Sequence, residues 1–202
     1  MISYQQLQKE LNFENELPVT PDWSAAADFL SLIKEYCLES QPQSIVECSS
    51  GLTTLTLARC CQMNGDGRIF SLENGEEYAN QTRANLKRFE VDKFVSVIHA
   101  PLEKTLVQGE YYDWYGLNGV EDINIDMLVI DGPPGFIQKY SRFPALPLLF
   151  DQLADQSMVF LDDAARDEEK ELVKMWLTLY PEIKHEFIET ERGCSVLTVN
   201  KS

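Results

Sequence analysis

The stretch Ser44–Ala58, SIVECSSGLTTLTLA, decides how the rest of the chain is read. An apolar, β-rich run meets a turn of small residues, and the residues after it follow helical spacing. Strand, small-residue turn and helix together have the shape of a nucleotide-binding loop. Loops that wrap a pyrophosphate are rich in glycine, because their backbone must approach the ligand closely. This one has a single glycine, Gly51. On this stretch alone two readings stand: a cofactor cradle, or a tight turn inside an α/β core.

Working outward, apolar runs alternate with amphipathic ones. TLTLARCCQM is followed by RIFSLE (68–73), EYANQTRANLKRF (77–89), FVSVIH (94–99), DMLVID (126–131), PALPLLFDQLA (144–154), SMVFLD (157–162) and EEKELVKMWLTLY (168–180). MLVI and MVFL are apolar without interruption, as strands covered by helices on both faces must be. The pattern predicts an α/β fold, a doubly wound, mainly parallel sheet. At the end the alternation breaks. KHEFIET, the turn Glu191-Arg192-Gly193 and CSVLTVN predict a β-hairpin, so one terminal strand runs antiparallel to a neighbour. Before the sheet, residues 3–12 suit a short helix and Glu14 to Pro21 a loop. Ser24 is placed to cap a helix over 25–40, with Phe29, Ile33 and Tyr36 on one face. The expected division is an N-terminal extension over 1–23 and one domain over 24–202.

A chain of 202 residues suits one core that buries about 70% of its unfolded surface. Seventeen Lys and Arg against 33 Asp and Glu leave a net charge of −16. Nucleic-acid binding runs on cationic neutralisation of phosphates, so DNA and RNA are unfavoured partners. Arg83, Lys87 and Arg88 form no more than a solvated helix face. Five cysteines without CxxC spacing fit a reduced, cytoplasmic setting, and Cys60-Cys61 read as core. No apolar run approaches the roughly 18 residues of a membrane span.

Ligands of open α/β sheets bind beyond the carboxyl ends of the strands, and five strand ends here are polar. They carry Glu47 with the small-residue turn, Glu73 before Asn74-Gly75, His99 before Ala100-Pro101-Leu102, Asp131 in VIDGPPG, and Asp162-Asp163. Unpaired buried carboxylates are costly, whereas carboxylates at a cleft bind hydroxyls, ammonium groups or metal. Glu73 follows Gly51 by 22 residues and ends the next strand, where an acid accepts both hydroxyls of a ribose. Asp162 or Asp163 also suits the N-cap of the helix that follows. The prolines of GPPG suit a rigid turn. Lys139 and Arg142, beyond the fourth strand, suit either an anionic substrate at the cleft mouth or surface solubility. YYDWYGLNG (111–119) reads as an aromatic loop. His185 reads as solvent-facing in the terminal hairpin, and His99 has no visible partner.

With these residues in place the chain, over roughly 24–200, resembles the class I S-adenosylmethionine-dependent methyltransferases. ECSSGLTT is similar to that family's sub-type motif E-x-G-S-G-x-S-T through Glu47, Ser50, Gly51, Thr53 and Thr54. Ser49 departs from it, standing where the family has its first glycine. The resemblance implies a Rossmann-like, seven-stranded, mostly parallel sheet with an antiparallel C-terminal hairpin strand. It also implies a methyl transfer from S-adenosylmethionine to a small-molecule acceptor, with O-methylation expected. By resemblance the cofactor falls to Glu47, Ser49, Ser50, Gly51, Thr53, Thr54, Glu73, Asn74, Pro101, Leu102 and Asp131, with Glu73 on the ribose. In the catechol O-methyltransferase-like branch a divalent cation (Mg²⁺, Mn²⁺ or Ca²⁺) is held by an Asp ending the fourth strand and an Asp-Asn pair ending the fifth. Asp131, Asp162 and Asp163 stand there, Asp163 in place of an Asn. Without a cation, Asp131 is the candidate general base. The rival expectation is a non-catalytic or regulatory protein that keeps the fold, and a homodimer contact through the N-terminal helices is a further one.

Overall fold

The computed structural model describes residues 2–201. Two helices, α1 (Tyr4–Glu10) and α2 (Ala27–Ser40), precede the sheet. Then follow β1 (Ser44–Cys48), α3 (Leu52–Asn64), β2 (Arg68–Glu73), α4 (Glu76–Arg88), β3 (Val95–His99), β4 (Leu102–Val107) and β5 (Glu110–Tyr115). The chain closes with β6 (Ile125–Ile130), α5 (Ala145–Leu149), β7 (Leu153–Leu161), α6 (Asp167–Leu179), β8 (Lys184–Ile188) and β9 (Cys194–Asn200).

Seven strands form one sheet in the order β3-β2-β1-β6-β7-β9-β8. All neighbours from β3 to β7 pair in parallel, and β9 lies antiparallel to both β7 and β8. The expected doubly wound sheet with an antiparallel terminal strand is therefore the observed one. Strand order reverses beside β1, whose neighbours are β2 on one side and β6 on the other. A crevice opens at such a reversal, beyond the carboxyl ends of the strands.

Alternation along each strand builds a core on both faces. Leu128 and Ile130 of β6 pack with α5, α6 and the β4–β5 pair through residues such as Leu146, Trp176 and Trp114. Met127 and Val129 point the other way, into a cluster with Phe29, Ile33, Leu55, Ala58 and Leu86. Leu7 and Leu11 are fully buried in that second cluster, and Lys34 of α2 pairs with Glu10 of α1. The first helix is thus an integral part of the core on that face. Cys60 and Cys61 are buried there as expected, Cys37 is buried with them, and all five cysteines are free.

Three local expectations are corrected. Ser24 does not cap α2, which starts three residues later behind Ala26; its hydroxyl instead accepts the Thr20 N–H of the preceding turn, at 2.9 Å. Asp162 and Asp163 do not cap α6, whose N-cap is Arg166. The aromatic segment 111–119 is a loop only after Tyr115, because β4 and β5 pair antiparallel across Gln108-Gly109. Both turn residues have positive φ (50° and 87°), the conformation of a two-residue hairpin turn, which Gly109 adopts without strain. No described helix is long and apolar enough to cross a membrane.

Candidate active site

The turn after β1 is braced from beneath. Glu47 is fully buried, and its carboxylate accepts hydrogen bonds from the hydroxyls of Thr53 and Thr54, the latter at 2.6 Å. Thr54 Oγ1 in turn accepts the Gly51 N–H at 2.9 Å, closing the turn onto the first residues of α3. Burial pushes the Glu47 carboxyl up to about 7, against the opposing pull of the two threonine bonds. Glu47, Thr53 and Thr54 therefore shape the turn from its buried side.

Ser49, Ser50 and Gly51 form the partly exposed rim. Ser49 lies at φ 104°, a region that favours glycine, so its departure from the motif is a change of side chain on a glycine-like backbone. Its N–H donates to Leu72 O at 2.9 Å, and its carbonyl accepts the Ser71 hydroxyl at 3.0 Å. Both bonds lock the turn to β2.

Glu73 ends β2 and is 6% exposed. Its Oε2 accepts from the Ser50 hydroxyl at 2.8 Å and the Ser50 N–H at 3.2 Å, while Oε1 accepts the Gly75 N–H at 2.9 Å. A carboxylate offers about four lone-pair directions; these three donors take all but one, which is left for a ligand's hydroxyl. Asn74 is partly exposed at the same edge, and Pro101 and Leu102 follow β3 there, with Ala100 N–H bonded to Glu73 O at 2.7 Å. His99 is exposed and pairs with Glu73 in the sheet register.

Across the crevice stand Asp131, Asp162 and Asp163. Each of the three offers a carboxylate oxygen, all within 4.8 Å of one another. The carbonyl of Cys48 accepts the Asp131 N–H at 3.1 Å, and that of Ile130 the Asp162 N–H at 3.0 Å, so neighbouring strand ends hold the acids in line. Burial raises Asp131 to about 7, with the Arg142 charge opposing and Asp163 and Glu47 reinforcing. Burial also raises Asp162 well above the usual range, helped by the charges of Asp131 and Asp163.

Arg142 departs furthest from the place its sequence position suggests. It does not sit at the cleft mouth; its side chain is 3% exposed and lies among the acids. Nη2 donates to Asp163 Oδ2 at 2.8 Å and contacts Asp131 Oδ1 at 3.3 Å. Burial alone would lower its pKa, but the carboxylates of Asp131, Asp163, Glu169 and Asp162 together raise it. Lys139, by contrast, is exposed, its ammonium 4.5 Å from the Tyr140 ring centre.

A residue that sequence reasoning missed completes the floor. Tyr115, at the end of β5, is 2% exposed, and burial raises its phenol well above 10. A Cβ on Gly132 would lie 2.5 Å from the Tyr115 hydroxyl and 3.0 Å from Ser49 Cβ, so Gly132 brings the β1 turn, the β4–β5 hairpin and the end of β6 together. The signal was the Gln108-Gly109 turn, which places Tyr115 on a strand rather than in a loop.

Residues 46–164, more than half of the chain, match the sequence profile of a family described as a methyltransferase domain. No curated protein matches the chain in sequence. Solved structures resemble it in fold. One is the O-methyltransferase TomG of Streptomyces achromogenes in complex with S-adenosylmethionine, at 16% identity and a TM-score of 0.66, covering 96% of this chain and 86% of TomG. An O-methyltransferase of Bacillus cereus in complex with S-adenosylhomocysteine gives 14% identity and a TM-score of 0.68, over 98% and 90% of the two chains. The methyltransferase PaMTH1 of Podospora anserina, bound to the same product, gives 17% and 0.67, over 100% and 89%. With the reversed strand order, the braced turn and the acid ending β2 all in place, the chain belongs to the methyltransferase-domain family and is a class I S-adenosylmethionine-dependent methyltransferase.

Proposed function

We propose that this protein moves the methyl group of S-adenosylmethionine onto a hydroxyl of a small-molecule acceptor, at the crevice beside β1. The observation that carries this reading is Glu73, at the end of β2 beside the strand-order reversal, joined to the Ser50 turn with an acceptor direction to spare. Ser49, Ser50, Gly51 and Asn74 line the cofactor with it, and Pro101 and Leu102 flank the adenine. Glu47, Thr53 and Thr54 hold the turn in shape. The solved O-methyltransferases of the same fold support oxygen as the accepting atom.

Transfer is a direct displacement at a methyl already activated by the positive sulfur, so alignment of donor and acceptor supplies most of the rate. The remaining chemical task is removal of the acceptor's proton. Asp131 lies across the crevice from Glu73 with a pKa raised to about 7, matched to a general base working near neutrality. The net charge of −16 supports a small acceptor over a nucleic acid. Five free, buried cysteines support a reducing, cytoplasmic setting. Asp131, Asp162 and Asp163 do not fit a resident divalent cation, because a guanidinium already lies among them. No observation favours a non-catalytic protein that keeps the fold.

Calorimetric titration with S-adenosylmethionine tests the reading first, with micromolar binding expected and no heat at millimolar cofactor overturning it. A screen of hydroxylated acceptors, read by release of S-adenosylhomocysteine, tests the second half. Binding with no turnover across the screen would favour the non-catalytic alternative.

A further inference from the structure

The three strand-end acids stand at the positions where the related branch of the family holds a metal, but here the guanidinium of Arg142 lies against the side chains of two of them, Asp131 and Asp163. Arg142 Nη1 donates to the Asp162 carbonyl at 2.8 Å, and Nη2 donates to the Asp131 carbonyl at 2.9 Å. The same Nη2 faces the side chains of Asp163 and Asp131. The guanidinium therefore bridges the ends of β6 and β7 through main chain and side chain at once.

The segment that carries it is fixed on both sides. Ser141 donates its hydroxyl to Pro133 O at 3.0 Å, and Trp176 of α6 donates its indole N–H to Phe143 O at 2.8 Å. A side chain so buried and so anchored does not swing away to admit an ion. An arginine also cannot be neutralised by losing its proton, so its charge is permanent at any working pH.

We propose that Arg142 is the resident cation of this site, standing where a divalent metal would stand and making the protein metal-independent. Oxygen accounting supports it. Asp163 Oδ2 is shared by Arg142 and by Arg166, whose Nη1 lies 3.0 Å away, and Asp162 Oδ1 accepts the Asp163 N–H at 2.8 Å. Among these buried oxygens only Asp162 Oδ2 and Asp163 Oδ1 are left without a partner. Asp131 Oδ2, on a side chain 17% exposed, also accepts no hydrogen bond from the protein. Since Mg²⁺ and Mn²⁺ can complete their shells with water, charge decides: a dication on these oxygens would face a fixed positive charge across Asp163 at close range, in surroundings that screen it poorly. Arg142 is accordingly a positioning residue. It fixes the rotamers of Asp131 and Asp163 and leaves acceptor activation to the Asp131 carboxylate rather than to direct coordination of the acceptor. That catalytic consequence rests on the proposed methyl transfer, while the ion-binding claim stands apart from it.

Electron paramagnetic resonance of free Mn²⁺, titrated into the full-length protein with and without S-adenosylmethionine, tests the claim. The expected result is a free-ion signal undiminished at equimolar protein, at hundreds of micromolar of each. Arg142→Ala vacates the position and should bring in one Mn²⁺ per chain, at least tenfold tighter than the parent, with Asp131→Ala in that background abolishing it. One Mn²⁺ bound per wild-type chain, weakened tenfold or more by Asp131→Asn, would overturn the proposal. So would an Arg142→Ala protein with native circular dichroism that still takes no Mn²⁺. If that variant does not fold, the wild-type titration decides the question alone. Absence of cofactor binding would sink the methyl-transfer reading and leave the ion-binding result untouched.

Discussion

The hydroxyl and the N–H of Ser50 both converge on one oxygen of Glu73, at 2.8 and 3.2 Å, so the first turn and the second strand end form a single rigid acceptor. A charged hydrogen bond of this kind contributes about 1.5–3 kcal/mol. Glu73→Ala should therefore weaken S-adenosylmethionine binding by roughly ten- to a hundredfold, while Ser50→Ala, which loosens Glu73 without removing it, costs only a few fold. Isothermal titration of the two variants checks the ranking.

Ser49 holds a glycine-like φ of 104°. Ser49→Gly removes about 1–3 kcal/mol of backbone strain and returns part of it through a freer unfolded chain. A net gain near 1 kcal/mol, or a rise of about 2–4 °C in Tm, is the expected outcome of thermal denaturation. An unchanged or lower Tm would mean that the Ser49 side chain contributes contacts that outweigh the strain.

Gly132 gives a steric test of the floor. Gly132→Ala drives a methyl against the Tyr115 hydroxyl and should cost about 1–3 kcal/mol by overpacking. Tyr115→Phe removes the clashing oxygen, so the double variant should recover part of the loss in urea denaturation. Strictly additive losses would show that the two residues do not meet.

Glu47 makes the fold pH-sensitive in a specified direction. Its folded pKa of about 7 lies above the ordinary 4.5, so the native state keeps a proton that the unfolded state releases. Stability from this group is present below about pH 4.5 and declines as pH rises towards 7, a change of about 3 kcal/mol. Glu47→Gln should lack the decline, and the two Tm curves, measured from pH 4.5 to 8, should diverge with the wild type falling.

Asp131 predicts a kinetic counterpart once an acceptor is in hand. A base that must be ionised makes kcat/KM rise with pH through about 7, and Asp131→Asn should flatten that limb and lower the rate by about 10²–10⁴-fold.

Much of this was legible from the residues because it is local or periodic. Met127 to Ile130 announce a strand covered on both faces, and Glu47, Glu73, Asp131 and Asp162 mark strand ends by breaking apolar runs with a charge. Gly193 between two β-rich runs foretells the terminal hairpin. The β4–β5 pair was missed although Gln108-Gly109 signals it, since the aromatic content of 111–115 drew the reading towards a loop. Arg142 was beyond reach for a different reason. Its partners lie 11 to 21 residues away in the chain and meet it only because β6 and β7 run side by side. The strain at Ser49 is a property of backbone angles, signalled in the sequence only by a serine standing where the family motif has glycine.

The carboxylates gathered at neighbouring strand ends bear on turnover as well as on binding. The methyl donor arrives as a sulfonium cation and departs as an uncharged thioether. Glu73 and Asp131, at the ends of β2 and β6 in a chain of net charge −16, attract the first and have no comparable hold on the second. Each transfer thus cancels the charge that drew the donor in, and release of the spent cofactor becomes a by-product of the chemistry itself.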